Sequence, residues 1–219
     1  NACHQTPLLE QITPAALRAR AVNSSDSFPD SVFKAEHANL DDTMAQLSPE
    51  ETDRFNEIVK GANNIYCIGW GISSLVMELM QIRLTIMGCR AFLCRRGGLS
   101  LWEQVRGVRE GDVVIVCELP SYAVEVTESV EIAHRNGAKV ITMTDSAAAP
   151  VCRFAELQLN VSANSPTFGS SIIGPIFLTH VLTSSLAVSL GAEAKKSIDE
   201  QASFLHDERI FHPIFGLKY

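Results

Sequence analysis

The sequence predicts an α/β protein: a three-layer αβα sandwich around a doubly wound, five-stranded parallel sheet, with lead-in helices on its N-terminal side. Short apolar runs of strand length alternate with segments of helical period along most of the chain, as in folds that cover a parallel sheet on both faces. Residues 112–145 show this best, because they read as strand, loop, amphipathic helix, glycine turn and strand. The two strands of such a βαβ unit are parallel. The 219 residues, 46% of them hydrophobic, suffice for the core of one such domain.

The N-terminal part of the chain predicts helices that lead into this domain. Residues 8–22 favour a short helix, and residues 23–28 form a polar hinge. A helix with an apolar stripe follows over residues 29–47. The run Ser48-Pro49-Glu50-Glu51 then supplies an N-cap, a proline at the first helical position and an acid at the third, so a further helix is predicted to end at Lys60.

Strands and helices alternate along the rest of the chain. The predicted strands are residues 65–68, 91–94, 113–117, 140–143 and 157–161. The predicted helices are residues 75–87, 101–108, a segment with Val126, Val130 and Ala133 on one face, 171–190 and 192–211. Glycines at positions 88, 137 and 191 follow three of these helices, as is common where a helix ends in a left-handed turn.

The composition excludes several classes of protein. The net charge of −7 and the pI of about 5.4 indicate a chain that binds nucleic acid poorly by itself. The six cysteines show no CxxC pair, and His206, Glu208 and His212 do not share one helical face, so we predict no metal site and no cofactor. We interpret the cysteines as reduced thiols of a cytoplasmic protein. No apolar run reaches the length of a membrane span, and no signal peptide is recognisable.

Three loops that each join a strand to a helix contain the candidate ligand-binding residues. Such loops meet at the carboxyl ends of parallel strands, where a helix N-terminus favours an anion. The first loop, Gly69-Trp70-Gly71-Ile72-Ser73-Ser74, offers Gly71 for close backbone approach, and Ser73 or Ser74 to cap the helix or bind an anion. The alternative is a tight turn with an ordinary serine N-cap. A dinucleotide fingerprint does not fit, because its third glycine would fall on Ser74.

The second loop, residues 118–121, reads Glu-Leu-Pro-Ser and is unlike a phosphate cradle. Such a cradle needs backbone N–H groups and hydroxyls, whereas Pro120 removes one N–H and Glu118 adds a negative charge. Ser121 is a candidate ligand-binding residue or, alternatively, an N-cap. Glu118 is a candidate as well or, alternatively, a solvated carboxylate.

The third loop, residues 165–171, is rich in hydroxyl groups and offers Ser170 and Ser171 as candidates. The alternative is a polar linker with a serine cap. The helix that follows carries His180 within an apolar stretch, where a single histidine is a core or interface residue more often than a base.

Five segments carry a resemblance to a known family. In chain order they are the helical lead-in NLDDTMAQLSPEETDRFNEIVKGANNI, IYCIGWGISSLVMELMQIRLTIMG, GDVVIVCELPSYAVEVTESVEIAHRNGAKVITMTD, the stretch 149–156 ahead of the fifth strand, and SSIIGPIFLTHVLTSSLAVSL. With these segments the chain, from about Phe33 to Leu205, resembles a SIS (sugar isomerase) domain. More narrowly, it resembles the C-terminal effector domain of RpiR/MurR-type bacterial transcription regulators. The resemblance implies a homodimer and a sugar-phosphate site at the carboxyl ends of the strands.

The resemblance also implies which residues bind the ligand. The family's first phosphate-binding serine falls on Ser73. Its second loop, Ser-x-Ser-Gly-x-Thr-x-Glu, falls on residues 118–125, where only the final Glu125 is kept. The arginine that often opens the last long helix is replaced by Ile172. Glu125 therefore joins the candidate residues, although most of the phosphate-binding pattern is lost.

Regulators of this type carry an N-terminal helix-turn-helix domain, and nothing in this chain has its length or basic charge. We therefore expect residues 1–28 to be a linker or remnant of such a domain, and residues 29–219 to be the sugar-binding domain. DNA would then be a partner only through the missing domain.

Three functions are compatible with these residues. The first is the sensor domain of a sugar-responsive transcription regulator, which binds its ligand without turnover. The second is a phosphosugar isomerase, with Glu118, Glu125 or His180 as the base. The third is a SIS domain that serves only for dimerisation.

The altered second loop disfavours a dianionic phosphate, which leaves three kinds of ligand for a sensor. One is an uncharged or amino sugar, and another is a sugar acid held elsewhere. The third is a phosphosugar bound mainly through Ser73, Ser74 and the loop at Ser170 and Ser171.

Overall fold

The computed structural model describes residues 27–207 and residue 210, and it confirms the predicted parallel sheet. The strands are β1 Ile65–Gly69, β2 Ala91–Cys94, β3 Val113–Glu118, β4 Lys139–Thr144 and β5 Leu157–Asn160. They lie in the order β2-β1-β3-β4-β5, and every neighbouring pair is parallel. The chain proceeds from β1 to one edge of the sheet and from β3 to the other. The winding therefore reverses between β1 and β3, which is the point where doubly wound sheets bind ligands.

Seven α-helices surround the sheet in the described part of the chain. They are α1 Phe28–Ala45, α2 Pro49–Lys60, α3 Ser73–Ile86, α4 Leu101–Val105, α5 Val124–Arg135, α6 Ile173–Leu190 and α7 Ala192–Asp207. A short 3₁₀ helix, Pro150–Phe154, precedes β5. The helix predicted for residues 8–22 lies outside the described residues, as does nearly all of the predicted stretch beyond residue 207.

Serine caps explain where three of these helices begin. Ser27, Ser48 and Ser100 each accept a hydrogen bond from the backbone N–H three residues later, and an acid at that position bonds back to the serine. These capping boxes satisfy N–H groups that have no partner within the helix. The capping box predicted at Ser48 is confirmed, and the cap at Ser27 starts α1 at Phe28, one residue before the predicted start.

Several other helix ends differ from the predictions. α4 ends at Val105 instead of residue 108, ahead of Gly107, where a helical backbone costs the most conformational entropy. α3 begins at residue 73 instead of 75, and α6 begins at residue 173 instead of 171. The loops that precede α3 and α6 are therefore arranged differently from a simple serine-capped turn.

Both faces of the sheet are covered, which confirms the three-layer architecture. Alternate residues of β3 point to opposite sides, so that Ile115 joins one core and Val116 the other. On the first side α2, α3 and α6 pack around Phe55 and Met77. On the second side α4, α5 and the 3₁₀ helix pack around Leu101. Every residue of β3 is buried, as expected for the central strand of a parallel sheet.

Helix α6 is unusually apolar. It is the one described helix that is long and apolar enough, by length and composition alone, to cross a membrane. The expectation that no apolar run reaches this length is therefore wrong for α6. Its Leu178, Leu182 and Leu186 are fully buried, and it packs against α1, α2 and α3. Core helices pass the same test, so this composition is only weak evidence for a membrane span.

Candidate functional site

A cavity of about 270 Å³ lies beyond the carboxyl ends of β1 and β3, where the winding of the sheet reverses. All three loops selected from the sequence contribute to it. Its lining residues are Trp70, Gly71, Ile72, Ser73, Cys117, Glu118, Leu119, Pro120, Ser121, Ala123, Val126, Gly169 and Ser170. Its volume is close to the lower end of the range of about 300–1,000 Å³ that is typical of small-molecule sites.

The structure brings together five of the eight candidate residues. The five that line the cavity are Gly71, Ser73, Glu118, Ser121 and Ser170. The three that do not line it are Ser74, Glu125 and Ser171.

The first loop is a tight turn that runs directly into α3. Gly71 has a φ of +57°, a conformation that glycine adopts without strain. The residue that caps α3 is Ile72, which makes no side-chain cap bond, so the alternative of an ordinary serine N-cap is wrong. Ser73 is buried, while the Ser74 hydroxyl donates to the Gly71 carbonyl at 2.7 Å.

Glu118 is the last residue of β3, and its carboxyl group is buried in the cavity wall. The residue is only 4% exposed, so the alternative of a solvated loop carboxylate is wrong. Its Oε1 accepts a hydrogen bond from the backbone N–H of Ala123 at 2.9 Å, whereas Oε2 has no hydrogen-bond partner among the described residues. Burial raises the pKa of Glu118 to about 7, against a smaller lowering by the Ala123 N–H. The cavity thus contains a carboxyl group that changes its charge near neutral pH.

The backbone of Ser121, in the same loop, is strained. Its φ of +84° is the one positive value at a non-glycine position in the described part of the chain. Such strain costs energy and often occurs at functional sites. The alternative that Ser121 caps α5 is wrong, because the N-cap is Ala123, which makes no side-chain cap bond. Glu118, at the end of the preceding strand, pairs with this helix terminus instead, because its carboxyl group accepts a hydrogen bond from the Ala123 N–H.

Glu125, the residue of the second loop that the family pattern keeps, points away from the cavity. Its Oε1 accepts a hydrogen bond from the backbone N–H of Leu101 at 3.0 Å, and its Oε2 lies 3.9 Å from Nε of Arg96. These contacts tie the first turn of α5 to the start of α4. The structure therefore supports a positioning role for Glu125 within the fold.

Ser171 also makes structural contacts instead of lining the cavity. Its hydroxyl donates to Glu36 on α1 at 2.7 Å and accepts from the Ile173 backbone N–H at 3.1 Å. The N-cap of α6 is Ile172, which makes no side-chain cap bond, so the alternative of a serine cap in this loop is wrong. His180 is exposed on α6 and is not among the residues that line the cavity.

No positively charged side chain lines the cavity among the residues that the structure describes. Among its lining residues, Glu118 and Cys117 are the titratable groups, and burial raises the pKa of Cys117 to about 12. Nearby, the Tyr122 hydroxyl donates to Asp145 at 3.0 Å, and burial with this contact raises the pKa of Tyr122 to about 12. Neither group supplies a cation, so any ligand meets hydroxyls, one carboxyl group and apolar surface.

Sequence reasoning missed Trp70 as a site residue. This side chain is 45% exposed and lines the cavity together with Ile72 and Leu119. Its position between two glycines in a loop after a buried strand was the available signal, because large aromatic side chains in such loops often contact ligands.

The segment between β5 and the third loop is fixed to α1 by Asn39, which is fully buried. Asn39 Oδ1 accepts from Ser162 Oγ and from the Asn164 backbone N–H, both at 2.9 Å, and its Nδ2 donates to the Asn164 carbonyl and to Glu36. We expect Asn39→Ala to lower the free energy of unfolding by about 2–3 kcal/mol, since it leaves buried partners unpaired. Urea denaturation measures this, with Asp41→Ala on the exposed face of α1 as the control. Equal stability of the two variants would contradict this role.

The chain is similar to known proteins in both sequence and structure. The family model for the SIS domain matches residues 58–189, which include β1 to β5 and nearly all of α6. A solved structure of the sugar isomerase domain of an RpiR transcription factor from Sphaerobacter thermophilus superposes with a TM-score of 0.77 at 24% identity. It covers 81% of this chain and 99% of that one.

Two further relatives are longer than this chain. The Vibrio vulnificus NanR protein complexed with ManNAc-6P superposes with a TM-score of 0.74 at 24% identity, over 84% of this chain and 70% of that one. An uncharacterised HTH-type transcriptional regulator from Clostridium perfringens is 22% identical over 174 residues. That match covers 77% of this chain and 62% of the regulator, so this chain spans less than two thirds of the length of that relative.

Proposed function

Because the chain belongs to the SIS domain family, we propose that residues 29–219 form the effector-binding domain of a bacterial transcription regulator of the RpiR type, and that the cavity between β1 and β3 binds a sugar. The observation that carries this proposal is the position of the cavity at the point where the winding reverses, lined by Ser73, Ser121 and Ser170. The NanR protein, which has the same fold, was solved with a sugar phosphate bound.

The remaining parts of the proposal concern partners. DNA would be contacted by a helix-turn-helix domain in the longer regulator, as in the HTH-type relatives, and not by this acidic domain. We also propose a homodimer and a cytoplasmic location, as the family resemblance implies. The sugar would bias the domain between two states and so change DNA binding.

A sensor fits the cavity better than an isomerase does. Aldose–ketose chemistry needs a base and an acid within reach of the sugar. Of the three bases nominated from the sequence, Glu118 lines the cavity, whereas Glu125 bonds Leu101 and His180 is exposed on α6. Glu118 is the one carboxyl group among the described residues that line the cavity. It can act as the base or as the acid, and the other of these two roles is then left without a residue. A module for dimerisation alone would not need these serines around a cavity.

Sugar binding without turnover is the expected result of a combined assay. Purified protein is heated with N-acetylmannosamine, glucosamine and their 6-phosphates, and each sugar is followed by proton NMR during a long incubation. At a hundredfold excess over Kd we expect the Tm to rise by about 5 °C, because a ligand that binds only the folded state stabilises it. The NMR spectrum of the sugar should not change.

Two tryptophans provide a matched pair for this assay. Trp70 and Trp102 are both 45% exposed, but only Trp70 lines the cavity. Trp70→Ala should therefore reduce the Tm shift, while Trp102→Ala should leave it unchanged. Conversion of a sugar phosphate by the wild-type protein would support the isomerase, and the absence of any Tm shift would support a dimerisation module.

A further inference from the structure

The Glu118 carboxyl group already occupies the place of an anion in the cavity. The N-terminus of a helix is where phosphate groups commonly bind, because its N–H groups are unpaired and its dipole is positive. At the N-terminus of α5, the N–H of the N-cap residue Ala123 donates to Glu118 Oε1. A phosphate at this position would have to displace the carboxyl group that the chain itself provides.

The other helix that begins at the cavity offers little compensation. The first N–H groups of α3, those of Ser73, Ser74 and Leu75, donate to carbonyl groups of residues 70–72 within their own turn. No lysine, arginine or histidine lines the cavity in the described part of the chain. A phosphate dianion beside Glu118 would therefore lack a counter-charge, and like charges a few ångström apart repel strongly in a partly desolvated site.

We propose that the ligand of this cavity is a sugar without a phosphate group, neutral or amino, that donates a hydrogen bond to Glu118 Oε2. The proposal deepens the sugar-binding function proposed above and rests on it. Oε2 is buried without a hydrogen-bond partner, so a hydroxyl or amino group of the ligand would satisfy it. The apolar faces of Trp70 and Leu119 suit the carbon-bound face of a sugar ring.

The alternative of a phosphosugar held away from Glu118 fits these contacts less well. This alternative needs the hydroxyl groups of Ser74 and Ser171 in addition to those of Ser73 and Ser170. The Ser74 hydroxyl donates to the Gly71 carbonyl, and the Ser171 hydroxyl donates to a carboxylate on α1. Two of the four hydroxyl groups are thus already engaged outside the cavity.

Calorimetric titration at pH 8 tests the proposal with two sugar pairs. N-acetylmannosamine and glucosamine are each compared with their 6-phosphates, and inorganic phosphate is included as a further probe. The wild-type protein should bind at least one parent sugar about tenfold more tightly than its phosphate. Glu118→Ser should reverse this preference, because it removes the charge and releases the Ala123 N–H for the anion. Glu118→Gln keeps the shape of the side chain and should raise phosphate affinity less.

Glu128→Ser is the control, since it removes the same charge from an exposed position on α5 and should leave the preference unchanged. Tighter binding of a 6-phosphate than of its parent sugar by the wild-type protein would overturn the proposal and leave sugar sensing intact. Equal effects of Glu118→Ser and Glu128→Ser would also overturn it. Failure of both sugars and both phosphates to bind would overturn sugar sensing, and this proposal with it.

Discussion

Gly69→Ala should lower the free energy of unfolding by about 3 kcal/mol, because a side chain at this position has no space. A β-carbon built on Gly69 would lie 2.6 Å from the carbonyl oxygen of Ser73 and 2.8 Å from Cα of Ser74. Both are backbone atoms at the start of α3, so they can move only if the helix moves. The same shift would displace Ser73 from the cavity. Urea denaturation and sugar titration of the variant measure the two effects.

Gly71→Ala is the matched control in the same loop. A β-carbon on Gly71 meets nothing within 4 Å, and only the positive φ of +57° opposes the substitution. This strain costs about 1 kcal/mol. If Gly69→Ala costs no more than Gly71→Ala, then the close approach of β1 to α3 is not what fixes this loop.

The stability of the wild-type protein should fall as the pH rises through the range in which Glu118 loses its proton. The pKa of Glu118 is raised from its ordinary value of 4.5 to about 7. Between these two values the folded protein binds more protons than the unfolded chain, so a rise in pH favours unfolding. The contribution is fully present below about pH 4.5 and is lost above about pH 7. The groups around Glu118 are Tyr122, Asp145, Cys117 and Cys152, none of which is a cation.

Glu118→Gln isolates this effect, since glutamine imitates the protonated acid at every pH. At pH 8 the variant should be more stable than the wild-type protein by about 3 kcal/mol. At pH 4.5 the two proteins should be nearly equal. Denaturation curves across this range provide the measurement, and other titrating groups cancel because both proteins share them. A constant difference between the two proteins from pH 4.5 to pH 8 would contradict a titrating, buried Glu118.

The fold was predictable because its signals are local and repeated. All five strands appear where short apolar runs were found, and the capping box at Ser48 starts α2 as predicted. Burial of both faces of a parallel sheet requires such runs, and serine caps satisfy N–H groups within one turn. Helix starts in the ligand-facing loops were less predictable, because the turn at Gly71 continues into α3 without a side-chain cap.

The candidate site was predictable as a set of loops but not side chain by side chain. Sequence position placed Glu118, Glu125 and Ser171 beside the sheet, but it could not specify the direction of each side chain. Glu125 bonds the start of α4, and Ser171 bonds α1, which are contacts between segments far apart in the sequence. Glu118 is buried as the last residue of β3, and its carboxyl group accepts the Ala123 N–H across the loop, which a local pattern does not reveal.

Hydrogen–deuterium exchange with and without bound sugar tests most directly whether this cavity is the effector site. The sugar is N-acetylmannosamine or glucosamine, whichever gives the larger Tm shift. Bound sugar should slow exchange in three separate segments, residues 69–75, 117–124 and 168–173, since these surround the cavity. A larger and more open hollow of about 680 Å³ lies along α7. Protection confined to α7, or absent from all three loops, would contradict the assignment.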